Sequence, residues 1–236
     1  MFKYKIADVV FTTEHKYGYV QKVCADYICE DEDAEVNLVV SDEDILYERS
    51  RGGEGQTDAY LESLVLCRKL CDYVLDKKDG FFMHASAIMV DGKAYLFTAK
   101  SGTGKSTHTR LWRELLGERA VMINDDKPII RLIDGKFYAY GTPWNGKHRL
   151  STDTKAPIKA ICILNRGENN RIERIAPKDA LIKILDQTLR PIKEERLDKS
   201  LELIGKLLKS VNLYKLWCNV SLDAAKLSYE FMKKGE

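Results

Sequence analysis

No stretch of this 236-residue sequence approaches the roughly 18 consecutive apolar residues of a membrane-spanning helix. No basic region followed by an apolar run opens the chain, so a secretory signal is not read there and a cytoplasmic protein is expected. Excess charge of either sign is missing too: 38 Lys and Arg against 36 Asp and Glu leave a formal net charge of +2. Without a strong global field, neither nucleic acid nor an anionic membrane is expected as a partner. Internal repeats and low-complexity segments are absent. Six cysteines occur without zinc-site spacing. Cys67 and Cys71 stand four apart on an expected helix, and Cys24 and Cys29 have no matching His or Cys pair. They read as packed free thiols.

What is present is 44% hydrophobic content, enough for a sizeable core in one domain with or without a small appendage. The division expected is 1–78, N-terminal strands and a helix packed on the core, and 79–236, a core with C-terminal helices. One continuous domain is the alternative. The first part reads as short strands at Tyr4–Phe11, Tyr17–Cys24 and Val36–Val40, interrupted by an acidic turn at Glu30–Asp33 that is either solvated or a cation site. A polar link at Ser50–Thr57 leads to apolar residues at helical spacing from Asp58 to about Leu75.

The centre of the chain is Ala99-Lys100-Ser101-Gly102-Thr103-Gly104-Lys105-Ser106. It has the form of a phosphate-binding loop, with alanine in place of the first glycine. A strand (Lys93–Thr98) precedes it and an amphipathic helix (Thr107–Leu116) follows, the context such a loop requires. Gly102 and Gly104 allow backbone N–H groups to point inward around an anion. The helix N-terminus, with Ser101, Thr103 and Thr107 close by, adds positive potential at the same point. Lys105 is placed to reach β- and γ-phosphates, and the Ser106 hydroxyl to take a place on Mg²⁺. ATP and Mg²⁺ are therefore the cofactors expected.

Asp91-Gly92, between two apolar runs, predicts a hairpin that gives the loop strand an antiparallel neighbour. After the loop helix, Arg119–Asn124 reads as a strand ending in Asp125-Asp126. A second Asp-Gly hairpin is expected over Pro128–Tyr140. Strands at Pro157–Asn165 and Arg171–Ile175 follow, then helices at Pro177–Leu189 and Lys193–Lys209. A strand at Asn212–Asn219 and a helix from Leu222 to Lys233 close the chain.

Asp125 and Asp126 stand where a metal-holding carboxylate and an acceptor of a hydroxyl proton are needed; a structural turn is the plainer reading. His84, on the hairpin partner of the loop strand, is either a core residue or close to the phosphates. Lys147, His148 and Arg149 follow the turn Gly141-Thr142-Pro143-Trp144-Asn145-Gly146. That segment reads as a clamp with Trp144 as a rigid contact and the two glycines as hinges, or as a solvated basic turn. His108 is expected on the outer face of the loop helix.

His84-Ala85-Ser86, a strand, the glycine-rich loop and Asn124-Asp125-Asp126 together resemble the catalytic core of HPr kinase/phosphorylase. The resemblance covers about residues 80–150 and extends weakly to about 175. More distantly, the chain is similar to the nucleotide core of ATP-dependent phosphoenolpyruvate carboxykinase. It implies an α/β fold of α+β character, with a phosphate-loop core on a mixed, partly antiparallel sheet flanked by helices. It further implies phosphate and metal roles for Lys105 and Ser106, metal and base roles for Asp125 and Asp126, and a supporting role for His84. The downstream signature that HPr kinases carry for phosphorolysis is not found. The segment from Gly141 to Lys147 looks more like small HPr-kinase-like proteins of modified-peptide biosynthesis.

The expected activity is a kinase moving a γ-phosphoryl group to a hydroxyl, foremost a serine of a peptide or small protein. A small-molecule kinase acting on free serine, or a nucleotide-dependent regulatory protein with little turnover, are the alternatives. A homo-oligomer is left open.

Overall fold

The computed structural model describes residues 1–191 and 194–235. A three-stranded sheet joins β1 (Phe2–Ile6), β2 (Val9–Thr13) and β3 (Val36–Asn37), with α1 (Gly18–Val23), α2 (Asp42–Ser50) and α3 (Asp58–Lys78) beside it. A nine-stranded mixed sheet follows. It holds β4 (Gly80–Phe82), β5 (Ser86–Val90), β6 (Lys93–Thr98), β7 (Ala120–Asn124), β8 (Ile129–Ile133), β9 (Lys136–Tyr140), β10 (Lys155–Arg166), β11 (Arg171–Arg174) and β12 (Asn212–Cys218). Helices α4 (Lys105–Leu116), α5 (Pro177–Asp186), α6 (Leu197–Ser210) and α7 (Leu222–Lys234) flank it.

β10 joins the large sheet together. Its start, Lys155–Pro157, pairs antiparallel with β9, and its later residues run parallel to β6 on one edge and to β12 on the other. The sheet thus passes from antiparallel to mixed along a single strand, and the expected α/β class with a partly antiparallel sheet is what forms. β6 has the antiparallel neighbour that Asp91-Gly92 predicts, β5, with Val90 opposite Lys93. Both turn residues have positive φ (50° and 72°), the conformation whose twist matches the flanking strands. Asp134-Gly135 closes the β8–β9 hairpin the same way, at 48° and 76°.

The N-terminal segment departs from its expected strands, and tertiary contacts explain each departure. Tyr4–Phe11 is two strands, because Ala7 and Asp8 turn the chain at φ 52° and 57° without a glycine to announce it. The Asp8 carboxylate is held by Lys155 Nζ at 2.6 Å and Tyr140 Oη at 2.5 Å, so contacts from the large sheet hold the turn. Tyr17–Cys24 is mostly helix, not strand. The buried Glu62 carboxylate on α3 accepts from the backbone N–H groups of Lys16 (2.6 Å) and Tyr17 (3.3 Å) and so caps α1. Val20 and Cys24, one turn apart, then enter the core. α2 lies where no helix was expected, although Ser41 and Asp44 form a reciprocal capping box at its start. β3 is shorter than Val36–Val40.

The first 78 residues do not pack alone. Tyr4, Phe11 and Leu70 share one apolar cluster with Phe82, Ile129 and Trp144. Two further clusters fill the faces of the large sheet, one under α5 and α6 and the other under α4 and α7.

α5 stops at Asp186, short of Leu189, because Thr188 bridges to Met83 and Leu189 N–H donates to Phe82 O at 3.1 Å. The expected start of the next helix, Lys193, lies outside the described residues; the helix itself runs over Leu197–Ser210. All six cysteines are free, and four are fully buried.

His108 is buried beneath α7 and not on an outer face. Its Nε2 lies 2.9 Å from Ser228 Oγ, which also accepts from Trp112 Nε1 at 2.9 Å. Burial pulls the His108 pKa down to about 4, so the ring is neutral near pH 7. Ser228→Ala strands both ring nitrogens in an apolar cluster. The expected loss is about 1–3 kcal/mol, read as a lower urea midpoint at unchanged m-value.

Candidate functional site

β6 delivers the chain at Thr98 to the 99–106 loop, and α4 begins at Lys105. Gly102 and Gly104 have φ of +77° and +122°, and a Cβ on either would meet nothing within 4 Å. The space beside both glycines is therefore open, and the backbone there is one only glycine adopts without strain. Thr103 N–H donates to Lys100 O at 3.2 Å, closing the turn. From the end of β10, Arg166 Nη2 donates to Gly102 O at 2.6 Å and fixes the loop from outside. Nothing in the sequence marks Arg166 beyond its place at a strand end.

Lys105 is 7% exposed, and the one described acceptor of its Nζ is Ala99 O at 3.2 Å. Two of its three N–H donors thus have no described protein partner. Burial lowers its pKa, while Asp126 and Asp125 oppose that shift, so both carboxylates lie within electrostatic reach of the ammonium. Ser106 and Thr107 are half-buried in the first turn of α4, and Ser101 is exposed.

The acids are set in place by Asn124, which is fully buried at the end of β7. Its Oδ1 accepts from the N–H groups of Asp126 (2.8 Å) and Lys127 (2.7 Å). Its Nδ2 donates to Thr142 O (2.9 Å) and Thr142 Oγ1 (3.0 Å). Asp125-Asp126 is a turn, and both carboxylates lie within electrostatic reach of Lys105. Asp125 is buried, and its carboxylate accepts from Ser86 Oγ. Asp126 is met by His84 Nε2 at 3.0 Å on one oxygen and by Lys127 Nζ at 2.6 Å on the other. Burial opposes its charge, but the bond from His84 and the charge of Lys127 outweigh it and hold the pKa at about 2.

His84 is positioned through its backbone. Its N–H donates to Gln187 O at 2.6 Å, and its carbonyl accepts from Thr98 Oγ1 at 3.0 Å. The last residue of β6 and the segment after α5 therefore aim the imidazole together. His84, Lys105, Asp125 and Asp126 come together as the sequence suggested, and Ser86 and Lys127 join them unforeseen.

The 141–149 segment is a fixed base carrying an exposed tip. A Cβ on Gly141 would sit 1.9 Å from Thr152 O, so this glycine serves a close backbone approach and not a hinge. Trp144 is buried, with Nε1 donating to Ser63 O at 3.1 Å and its ring edge-on to Phe82 at 5.7 Å. It belongs to the core and is not an exposed contact for an acceptor. Lys147, His148 and Arg149 are exposed, with Arg149 in the left-handed region at φ 51°. Lys147 and Arg149 line a cavity of about 500 Å³ together with Asp126. A second cavity, of about 640 Å³, adjoins the glycine-rich loop at Gly102, Gly104, Asn165 and Arg166.

No family model matches the chain, and no curated protein does. Among solved structures it is similar to the Hpr(Ser) kinase/phosphatase from Coxiella burnetii, at a TM-score of 0.38 and 9% identity. That match covers 65% of this chain and 99% of the other.

No described helix is long and apolar enough to cross a membrane. Among the described residues no group of three or more His, Cys, Asp or Glu could hold a metal ion. Mg²⁺ does not need one, since it is commonly held by one or two carboxylates plus phosphate oxygens and water. The open cradle at Gly102 and Gly104, the free donors of Lys105 and the two acids fit a Mg²⁺-bound phosphate chain.

Two outcomes follow from this geometry. Trp144→Ala is expected to cost about 3–5 kcal/mol of stability in denaturant unfolding, as loss of a buried aromatic does. The depressed Asp126 carboxyl contributes stability that is present above the ordinary value of 3.8 and is lost as pH falls through about 2. In His84→Ala that pKa is expected to rise, measured by ¹³C NMR titration of the carboxyl, and the window to narrow.

Proposed function

We propose that the chain is an ATP- and Mg²⁺-dependent kinase that transfers a γ-phosphoryl group to a hydroxyl, foremost a serine of a peptide or small protein. The observation that carries this reading is Lys105: a buried ammonium with one described protein acceptor, at the mouth of an open glycine cradle and facing two carboxylates. Such a group is costly to bury unless an anion completes its partners.

In this reading the N–H groups of the 101–106 backbone other than that of Thr103, together with the N-terminus of α4, bind the phosphates, and Lys105 bridges the outer ones. The cavity beside Asn165 and Arg166 takes the nucleoside. Ser106 and Asp125 hold Mg²⁺, with Ser86 keeping Asp125 oriented. When bound, Mg²⁺ neutralises charge on the phosphate oxygens. Asp126 lines the cavity on the other side, so we assign it the hydroxyl of the acceptor. With a pKa near 2 it is a weak base. Phosphoryl transfer asks mainly for positioning, because little charge builds on the nucleophile before the donor bond has lengthened. His84 and Lys127 hold the carboxylate ionised and aimed.

Lys105→Ala is expected to abolish ATP turnover and weaken ATP binding with circular dichroism unchanged. Wild-type turnover in that variant removes the kinase reading. Asp125→Asn is expected to raise the Mg²⁺ requirement. Asp126→Asn is expected to leave Mg²⁺ affinity nearly unchanged and to slow transfer by about 10²–10⁴-fold. Full activity in either variant would reduce the pair to a turn.

A further inference from the structure

The cavity on the far side of Asp126 has two walls of different origin. One comes from the 143–149 segment; the other comes from the N-terminal segment, through Tyr19 and Lys22 of α1 and Tyr60 of α3. Its ionisable lining is unbalanced. Lys22, Lys127, Lys147 and Arg149 stand against Asp26 and Asp126. Lys127 is already paired with Asp126 inside the cavity. The three remaining cations are exposed and have no carboxylate partner among the described residues. They also come from different segments, Lys22 from α1 and Lys147 with Arg149 from the 143–149 segment.

The entry to α1, which carries Lys22, is tied to α3 by the buried Glu62 carboxylate, which accepts from the N–H groups of Lys16 and Tyr17. Arg149 stands at φ 51°, a conformation that costs a non-glycine residue free energy and is commonly retained where a side chain must be aimed. Exposed cations contributed by two separate segments, with half-buried Tyr19 and Tyr60 lining the same cavity, do not suit a compact acid bound at one point. They suit a chain that crosses the opening, places one hydroxyl at Asp126 and leaves carboxylates on either side of it against Lys22 and against Lys147 and Arg149.

We infer that the acceptor is a serine in an acidic peptide segment, bound between α1 and the 147–149 tip, with Lys22 reading the carboxylates on one side. This rests on the kinase reading above and adds the substrate class and a specificity residue outside the catalytic group. The transfer itself is balanced: the serine Oγ–P bond forms, the bond to the bridging oxygen of ADP breaks, and the hydroxyl proton leaves to solvent by way of Asp126.

The test uses the full chain with ATP, Mg²⁺ and four acceptors: peptides of equal length with one serine flanked by Glu, by Ala or by Lys, and free L-serine. Phosphate gain is read by mass, and ATP binding is measured separately. The Glu-flanked peptide is expected to have the lowest KM. Lys22→Glu is expected to raise that KM about tenfold and to lower KM for the Lys-flanked peptide, with ATP affinity and kcat little changed. Lys22→Gln is expected to fall between, which separates charge reading from a packing effect. Equal use of the three peptides, better use of free serine, an unchanged preference in Lys22→Glu, or ATP binding with no peptide modified each overturns the inference alone. Absence of ATP binding removes the kinase reading with it.

Discussion

The site depends on one buried carboxamide. Asn124 spends both lone pairs of Oδ1 on the N–H groups that follow it and both hydrogens of Nδ2 on Thr142. The first pair of bonds bends the chain sharply after β7, so that two acids emerge side by side. The second ties that bend to the segment that will carry Lys147. Aspartate could not supply the donors, and a longer amide would displace the turn. A buried polar group with every valence used is rigidifying, since any alternative geometry leaves some partner unsatisfied in a dry environment. Thr142 completes the loop by donating to Lys127 O at 2.7 Å.

Around this point, each wall of the site comes from a different part of the chain. β6 brings the glycine-rich loop, β10 brings Arg166 to hold that loop from outside, and the segment after α5 aims His84. The N-terminal residues close the side beyond Asp126. Electrostatics follow the same division. Cations and carboxylates adjoin at the centre, where the acid pair lies within electrostatic reach of Lys105 and Lys127 neutralises Asp126, while Lys22, Lys147 and Arg149 have no carboxylate partner among the described residues.

The middle of the chain was legible because its signals are local. Two Asp-Gly pairs fix two hairpins through backbone dihedrals alone, and the glycine-rich loop carries its own strand and helix. What was not legible is settled by distant partners. No local pattern says that Glu62 will cap residues 46 and 45 positions earlier in the chain, and so turn an apparently alternating strand into α1. The hairpin at Ala7-Asp8 lacks glycine because Lys155 and Tyr140 hold its aspartate. Trp144 reads as a surface contact in a turn-rich loop, yet Ser63 on α3 supplies the acceptor that lets its indole be buried. The cap of α2 is itself local, since Ser41 and Asp44 lie three residues apart and bond reciprocally.

The Ser228 hydroxyl beneath α4 has a consequence for how the protein is made. α4 carries Lys105 on its first turn, and its buried His108 and Trp112 wait for a partner 120 and 116 residues later in the chain. Synthesis runs from the N-terminus, so the glycine-rich loop, the acid pair and the cavity wall beyond Asp126 leave the ribosome well before α7. Until then α4 has two polar ring nitrogens facing apolar neighbours and no lid over them. α7 therefore completes the packing of α4. A chain cut before α7 holds the full set of site residues but lacks the packing that fixes the helix bearing Lys105.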